Sequence, residues 1–162
     1  GSIPAELYLL SHLEVIDITA KQTTLDTPLG DLLPMDTINH LVGLLKEMKI
    51  SHASLKGSIP TAIGLLTNLV HLDLSENDHL TSTIPSELGL LSNLTSLLLQ
   101  SNDLSGNIPG ELGDLPLLEE FNIEDNPSIE PFLPEGWCSE DHIPMTTLKA
   151  DWCSNPAECC DL

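Results

Sequence analysis

The chemistry open to this chain starts from its carboxylates and histidines. Glu76 and Glu120 could be paired as acids for sugar hydrolysis, and His71 stands two residues before Asp73, a spacing that puts both on one face of a strand. A carboxyl group acts as an acid near neutrality only where its surroundings exclude water, and a shallow open face does not do that. The six histidines, His12, His40, His52, His71, His79 and His142, are dispersed, and no GxSxG, HExxH, phosphate-binding loop or GxGxxG is present. The expectation is therefore no enzyme, no cofactor and no metal. The four cysteines, Cys138, Cys153, Cys159 and Cys160, all follow residue 137. Four thiolates could hold zinc, but adjacent cysteines and a 14-residue gap fit that geometry poorly. Without a CxxC a redox centre is disfavoured, and a disulfide framework in an oxidising compartment is the expectation. Bonding Cys159 to Cys160 strains the peptide between them. That leaves two pairings, of which Cys138–Cys159 with Cys153–Cys160 is preferred. Calcium wants six to eight converging oxygens, no DxDxDG loop occurs, and the densest acids, Glu119-Glu120 and Glu124-Asp125, spread along a sheet.

These groups are carried by a repeated sentence, LxxLxLxxN. Leu69-Leu72-Leu74 with Asn77, Leu94-Leu97-Leu99 with Asn102, and Leu118-Phe121-Ile123 with Asn126 are three copies. Leu13-Ile16-Ile18 and Leu45-Met48-Ile50 share the apolar spacing, with Lys21 and Ala53 where the asparagine would fall. The last apolar residues, 18, 50, 74, 99 and 123, are 32, 24, 25 and 24 residues apart. Each copy has the alternation of a strand with one buried face, which it cannot cover alone, so stacking is required. The asparagine amide can bond free backbone groups at the turn and form a ladder, and its loss predicts less regular first turns.

A second phrase follows each strand. It reads Leu55, Gly57, Ile59, Pro60, Ile63, Gly64, Leu66 and recurs as Leu104, Gly106, Ile108, Pro109, Leu112, Gly113, Leu115. In the copy between them Ser82 replaces the glycine and one extra residue precedes Leu80. Gly and Pro here predict turns and 3₁₀ pieces on an outer wall. Together the phrases, LxGxIPxxLGxLxxLxxLxLxxN, resemble the plant-type leucine-rich repeat of receptor-like proteins and receptor kinase ectodomains, and similar algal chains. The resemblance implies an α/β solenoid. Its right-handed coil would have a parallel concave β-sheet of about five strands, a convex side of 3₁₀ segments and turns, and a disulfide-stapled C-terminal cap. It also implies binding of proteins, peptides or glycans rather than catalysis. Residues 1–133 form the repeats, with an irregular loop at about 20–37, and 134–162 form the cap, where Trp137, Leu148 and Trp152 would plug the last rung.

Side chains flanking the buried strand residues face the concave surface. The columns are Val15, Glu47, His71, Ser96, Glu120; Asp17, Lys49, Asp73, Leu98, Asn122; Thr19, Ser51, Ser75, Gln100, Glu124; and Ala20, His52, Glu76, Ser101, Asp125. Seven of these twenty are acidic, against 25 acids in 162 residues overall, so the face is about twice as acidic as the chain. The candidate ligand-binding residues are His71, Asp73, Glu76, Leu98, Gln100, Glu120 and Asn122. A basic peptide or polar glycan would suit them, and a merely solvated acidic surface is the alternative.

A net charge of −20, with five lysines and no arginine, repels nucleic acid and anionic membranes. No apolar run is long enough to span a bilayer. Asn93-Leu94-Thr95 is a glycosylation acceptor, and Asn126-Pro127-Ser128 is disqualified by its proline. The expected location is secreted or cell-surface. Gly1-Ser2-Ile3-Pro4 repeats Gly57-Ser58-Ile59-Pro60, so the chain is expected to open in mid-repeat. A stacking partner or further repeats would then cover that end. Two alternatives stay open beside recognition: a structural, adhesion or assembly role, and inhibition of a secreted hydrolase.

Overall fold

The computed structural model describes residues 12–19, 27–138 and 146–153. Strands β1 (Val15–Thr19), β2 (Glu47–Ser51), β4 (His71–Asp73), β6 (Ser96–Leu98), β8 (Glu120–Asn122) and β10 (Thr147–Lys149) form one parallel sheet in the order β1-β2-β4-β6-β8-β10. A second parallel sheet joins β3 (Lys56–Gly57), β5 (Asn77–Thr83), β7 (Asn102–Gly106) and β9 (Ser128–Ile129) in that order. Sequence pattern placed only turns and 3₁₀ pieces on this outer wall. The prolines did not conflict with strands there, because the strands end before Ile84-Pro85 and Ile108-Pro109.

Each proline instead precedes a 3₁₀ segment: Thr61–Leu65, Ser86–Leu90 and Gly110–Asp114 follow Pro60, Pro85 and Pro109. The glycine of the Leu-Gly pair lets successive segments touch. A Cβ on Gly64 would lie 2.4 Å from the Glu87 carbonyl oxygen, and one on Gly89 would lie 2.5 Å from Glu111 Cβ. The spine between the sheets is dry. Met48, Leu72, Leu97 and Phe121 pair across the first sheet and, like Ile50, Leu74, Leu99 and Ile123, are fully buried.

The asparagine ladder has a direction. Asn77 Oδ1 accepts from Ala53 N at 3.1 Å and Leu55 N at 3.0 Å in the preceding rung, while Nδ2 donates to Ile50 O and Leu74 O at 2.9 Å. Asn102 accepts from Asn77 N at 3.1 Å and donates to Leu74 O and Leu99 O. Asn126 accepts from Leu104 N at 3.0 Å and donates to Leu99 O and Ile123 O. Each amide thus satisfies buried backbone groups of its own turn and of the one before it.

Two expectations are corrected. The stretch read as a loop at 20–37 contains, within its described part, helix α1 (Leu29–Leu32) and the start of helix α2 (Met35–Leu41). Leu29, Leu32, Leu33, Ile38 and Leu41 are buried, and Pro28 and Pro34 occupy N-cap positions that suit a helix start. The sheet has six strands rather than about five. The sixth, β10, comes from the cysteine-containing tail: Leu148 pairs with Phe121 and is buried. Trp137 is also buried, with its ring centroid 5.0 Å from that of Phe121 and its Nε1 donating to Leu112 O at 3.2 Å. Trp152 packs partly buried against the same core. Cys159 and Cys160 lie outside the described residues.

Candidate binding face

Parallel register fixes which side chains are neighbours. Val15, Glu47, His71, Ser96, Glu120 and Thr147 align across the six strands, as do Asp17, Lys49, Asp73, Leu98, Asn122 and Lys149. Both rows flank the buried row that contains Leu97, so alternation along each strand sends them to the concave side. The row at His52, Glu76, Ser101 and Asp125 sits at the turn. All four have left-handed backbone, with φ between 55 and 57°. That conformation is unfavourable for residues with a Cβ, and the asparagine bonds on the following residue hold it in place.

The candidate residues divide into two sets. Asp73 and Asn122 are buried, and both direct an oxygen to backbone two residues on. Asp73 Oδ1 accepts from Ser75 N at 3.0 Å and Ser75 Oγ at 2.6 Å, and Asn122 Oδ1 accepts from Glu124 N at 3.1 Å. These bonds explain why the second row favours Asp and Asn: the side chain closes the strand end. Asp73 Oδ1 and Asn122 Oδ1 are therefore engaged within their own strand ends. His71, Leu98, Gln100 and Glu120 are half-buried and Glu76 is exposed, so a ligand can reach them.

Bonds between rungs engage several acids of the face. Ser96 Oγ donates to Glu120 Oε2 at 2.8 Å, Ser101 Oγ donates to Asp125 Oδ2 at 3.2 Å, and His52 Nε2 lies 2.5 Å from Glu76 Oε2. Asp125 N donates to Asp151 Oδ2 at 3.0 Å. Among the described residues no group of three or more His, Cys, Asp or Glu is placed to hold a metal ion. One polar atom at the middle of the sheet has no such bond. Gln100 Oε1 is buried and without a hydrogen-bond partner among the described residues, two positions beyond the half-buried Leu98 and next to the fully buried Leu99.

Lys149 and Asp151 belong to this face and were missed. The signal was present as Thr147-Leu148-Lys149-Ala150, but Ala150 stands where the other copies have a larger aliphatic residue, and the spacing from Phe121 to Leu148 is 27 residues. A separate open groove of about 540 Å³ on the outer wall is lined by Gly110, Glu111, Asp114, Glu135 and Gly136.

Residues 68–91 and 93–115 match the Leucine Rich Repeat family model. Among curated proteins there is no match. Among solved structures, a plant ice-binding protein superposes with a TM-score of 0.67 at 27% identity, over 85% of this chain and 42% of that one. The BIR2 ectodomain from Arabidopsis thaliana gives 0.58 at 32% identity, over 66% and 55%. The GASSHO1/SCHENGEN3 receptor kinase ectodomain from the same plant, in complex with CASPARIAN STRIP INTEGRITY FACTOR 2, gives 0.61 at 26% identity, over 84% and 18%. The chain therefore spans 55% or less of each of these three. The repeated LxxLxLxxN and LxGxIP phrases, the paired parallel sheets and the family match over two repeats agree: the chain folds as a leucine-rich repeat solenoid, and its repeats are similar to those of plant receptor ectodomains.

Proposed function

We propose that this chain is a non-catalytic extracellular binding module that takes a peptide or an extended protein segment on its concave face. The observation that carries the reading is Gln100 Oε1, a buried acceptor without a partner beside the half-buried Leu98. An unmet buried acceptor costs about 1–3 kcal/mol, which a ligand N–H would recover once the half-buried Gln100 side chain turns outward, and a neighbouring apolar side chain supplies area that water does not favour. Glu120, Glu76 and Glu124 around this centre favour a ligand with net positive charge. The GASSHO1/SCHENGEN3 ectodomain, which shares this coil, is in complex with a second protein factor, and that supports the class of partner.

Cys153 is buried and disulfide-bonded, at the place in the sixth rung that asparagine holds in the three preceding ones. This supports a stapled end and an oxidising compartment, with Cys138–Cys159 and Cys153–Cys160 as the proposed bonds.

The test is selection of binders from a displayed random-peptide library on the wild-type chain. Leu98→Asp and Gln100→Ala should each weaken the selected peptides tenfold or more, and Glu120→Lys should weaken basic peptides selectively. Asp103→Lys, on the outer wall, should change affinity less than twofold. Peptides that bind all four variants equally would place recognition elsewhere.

A further inference from the structure

The flank between the 3₁₀ segments and the concave strands differs from the rest of the surface. Residues 42–46, 65–70 and 90–95 hold no acid, in a chain with 25 of them. Large apolar side chains stand in solvent there: Val42 is 43% exposed, Leu65 41%, Val70 37% and Leu90 58%, and Leu117 follows in the next rung at 47%. Acids over most of the surface keep copies of this chain apart; across these three segments Lys46 is the one charged residue, and acids return beside Leu117 at Asp114 and Glu119.

In the middle of the flank lies Asn93. Asn68, Asn93 and Leu117 each immediately precede a buried leucine of the spine (Leu69, Leu94, Leu118), so they form one column, with rungs about 4.8 Å apart. Asn93 is exposed, and its Nδ2 donates to Thr67 O at 2.8 Å, as Asn68 Nδ2 donates to Gly43 O at 2.7 Å. Only Asn93 is followed by Leu-Thr. We propose that an N-linked glycan on Asn93 is the native cover of this flank, lying over Leu65, Val70, Leu90 and Leu117. The proposal rests on the extracellular reading above.

The transfer takes an oligosaccharide from a lipid-pyrophosphate donor. The bond between the first sugar's C1 and the phosphate oxygen breaks, a bond from C1 to Nδ2 forms, one Nδ2 proton leaves to a base, and the lipid pyrophosphate departs. The amide keeps one N–H, so the bond to Thr67 O and the glycan are compatible. Timing follows from burial. Leu94 is fully buried, and Thr95 is held by its N and Oγ1 donating to Val70 O at 2.8 and 3.1 Å. The three residues are accessible together only before this rung packs, so the sugar must be added to the unfolded or folding chain. Once attached, the bulky polar group keeps water-soluble surface over the aliphatic row.

The experiment expresses the full chain behind a secretion leader in a glycosylating eukaryotic host. Intact mass should show one glycan, absent from Asn93→Gln and retained in Thr95→Ser. Amidase removal of the glycan from the already folded protein avoids any folding defect of the variant. It should raise hydrophobic-dye fluorescence at least threefold and shift sedimentation toward dimers or larger species at tens of micromolar. Leu90→Ser with Leu117→Ser should abolish both changes. An unmodified Asn93 in the secreted chain would overturn the proposal, as would dye binding and sedimentation unchanged by amidase. Affinity for the selected peptides and a count of free thiols report on the concave-face and extracellular readings separately, so failure of either is seen apart from failure of the shield.

Discussion

The rungs that begin at Leu69, Leu94 and Leu118 and the two before them use the same apolar spacing but reach order by different means. In the later three, an asparagine at each turn bonds backward onto the preceding rung. In the rung of Leu45-Met48-Ile50 that position is Ala53, yet this rung is not short of partners, because Asn77 from the next one accepts from both Ala53 N and Leu55 N. A missing asparagine therefore affects the rung before it. The lesson is that the ladder is a chain of debts between neighbours, and that irregularity is displaced by one repeat from the residue that causes it. At the other end Cys153, buried, replaces the amide, and its N and O pair with Ala150 O and N at 3.0 Å. Within the described residues, this last turn is held by that backbone pair and not by an asparagine amide.

The largest expected effect sharpens this difference. Asn102→Ala removes partners from Leu74 O, Leu99 O and Asn77 N together, and should destabilise by about 3–5 kcal/mol in denaturant titration, since each buried unmet group costs about 1–3 kcal/mol. Protection of Asn77 N in hydrogen exchange should fall before that of rungs further away. A loss below about 1 kcal/mol would mean that the ladder is ornament on a coil held by its leucines alone.

Next comes the outer wall. Gly89→Ala places a methyl 2.5 Å from Glu111 Cβ and 2.8 Å from its carbonyl oxygen, and should cost about 1–3 kcal/mol through overpacking. Gly110→Ala meets nothing within 4 Å and should be neutral or stabilising by up to about 1 kcal/mol. Equal melting temperatures for the two variants would break the claim that glycine is required where rungs touch.

Smaller still is a repair. Gly57 and Gly106 close their strands at φ of 75 and 77°, and Ser82, one residue before the end of β5, has a φ of 72° just after the register shift between Asn77 and Thr81. Ser82→Gly should stabilise by about 0.5–1 kcal/mol, because the left-handed conformation disfavours a Cβ. The smallest change is expected at His52→Ala, which removes a partly exposed pair with Glu76 and should alter stability by less than about 1 kcal/mol.

How far the sequence reached differs between these parts. The spine was legible because a period of 24 or 25 residues with alternating leucines leaves one way to hide the apolar side, and the four concave columns followed from alternation alone. Ser82 was visible as a misfit, though not as a left-handed residue. The second sheet was not legible: Asn102–Gly106 contains Gly, Asn, Asp and Ser, a composition that reads as turn, and it is a strand because the same segment in each neighbouring rung offers it hydrogen bonds. The helices at Leu29–Leu32 and Met35–Leu41 were hidden by their prolines, which break a helix in its interior and suit its start.

On the concave face, residue types and register were set by the chain itself. Which of those residues a ligand can reach was decided only by packing. Asp73 and Asn122 look like the strongest polar groups in the sequence, and folding turns them inward onto Ser75 and Glu124, two residues away. Gln100 looks ordinary in the sequence, and folding leaves its oxygen buried without a partner. A periodic pattern fixes where side chains are carried, because strand geometry repeats. Whether a polar atom is satisfied depends on donors that stacking brings from other rungs, and that information is not local to any segment.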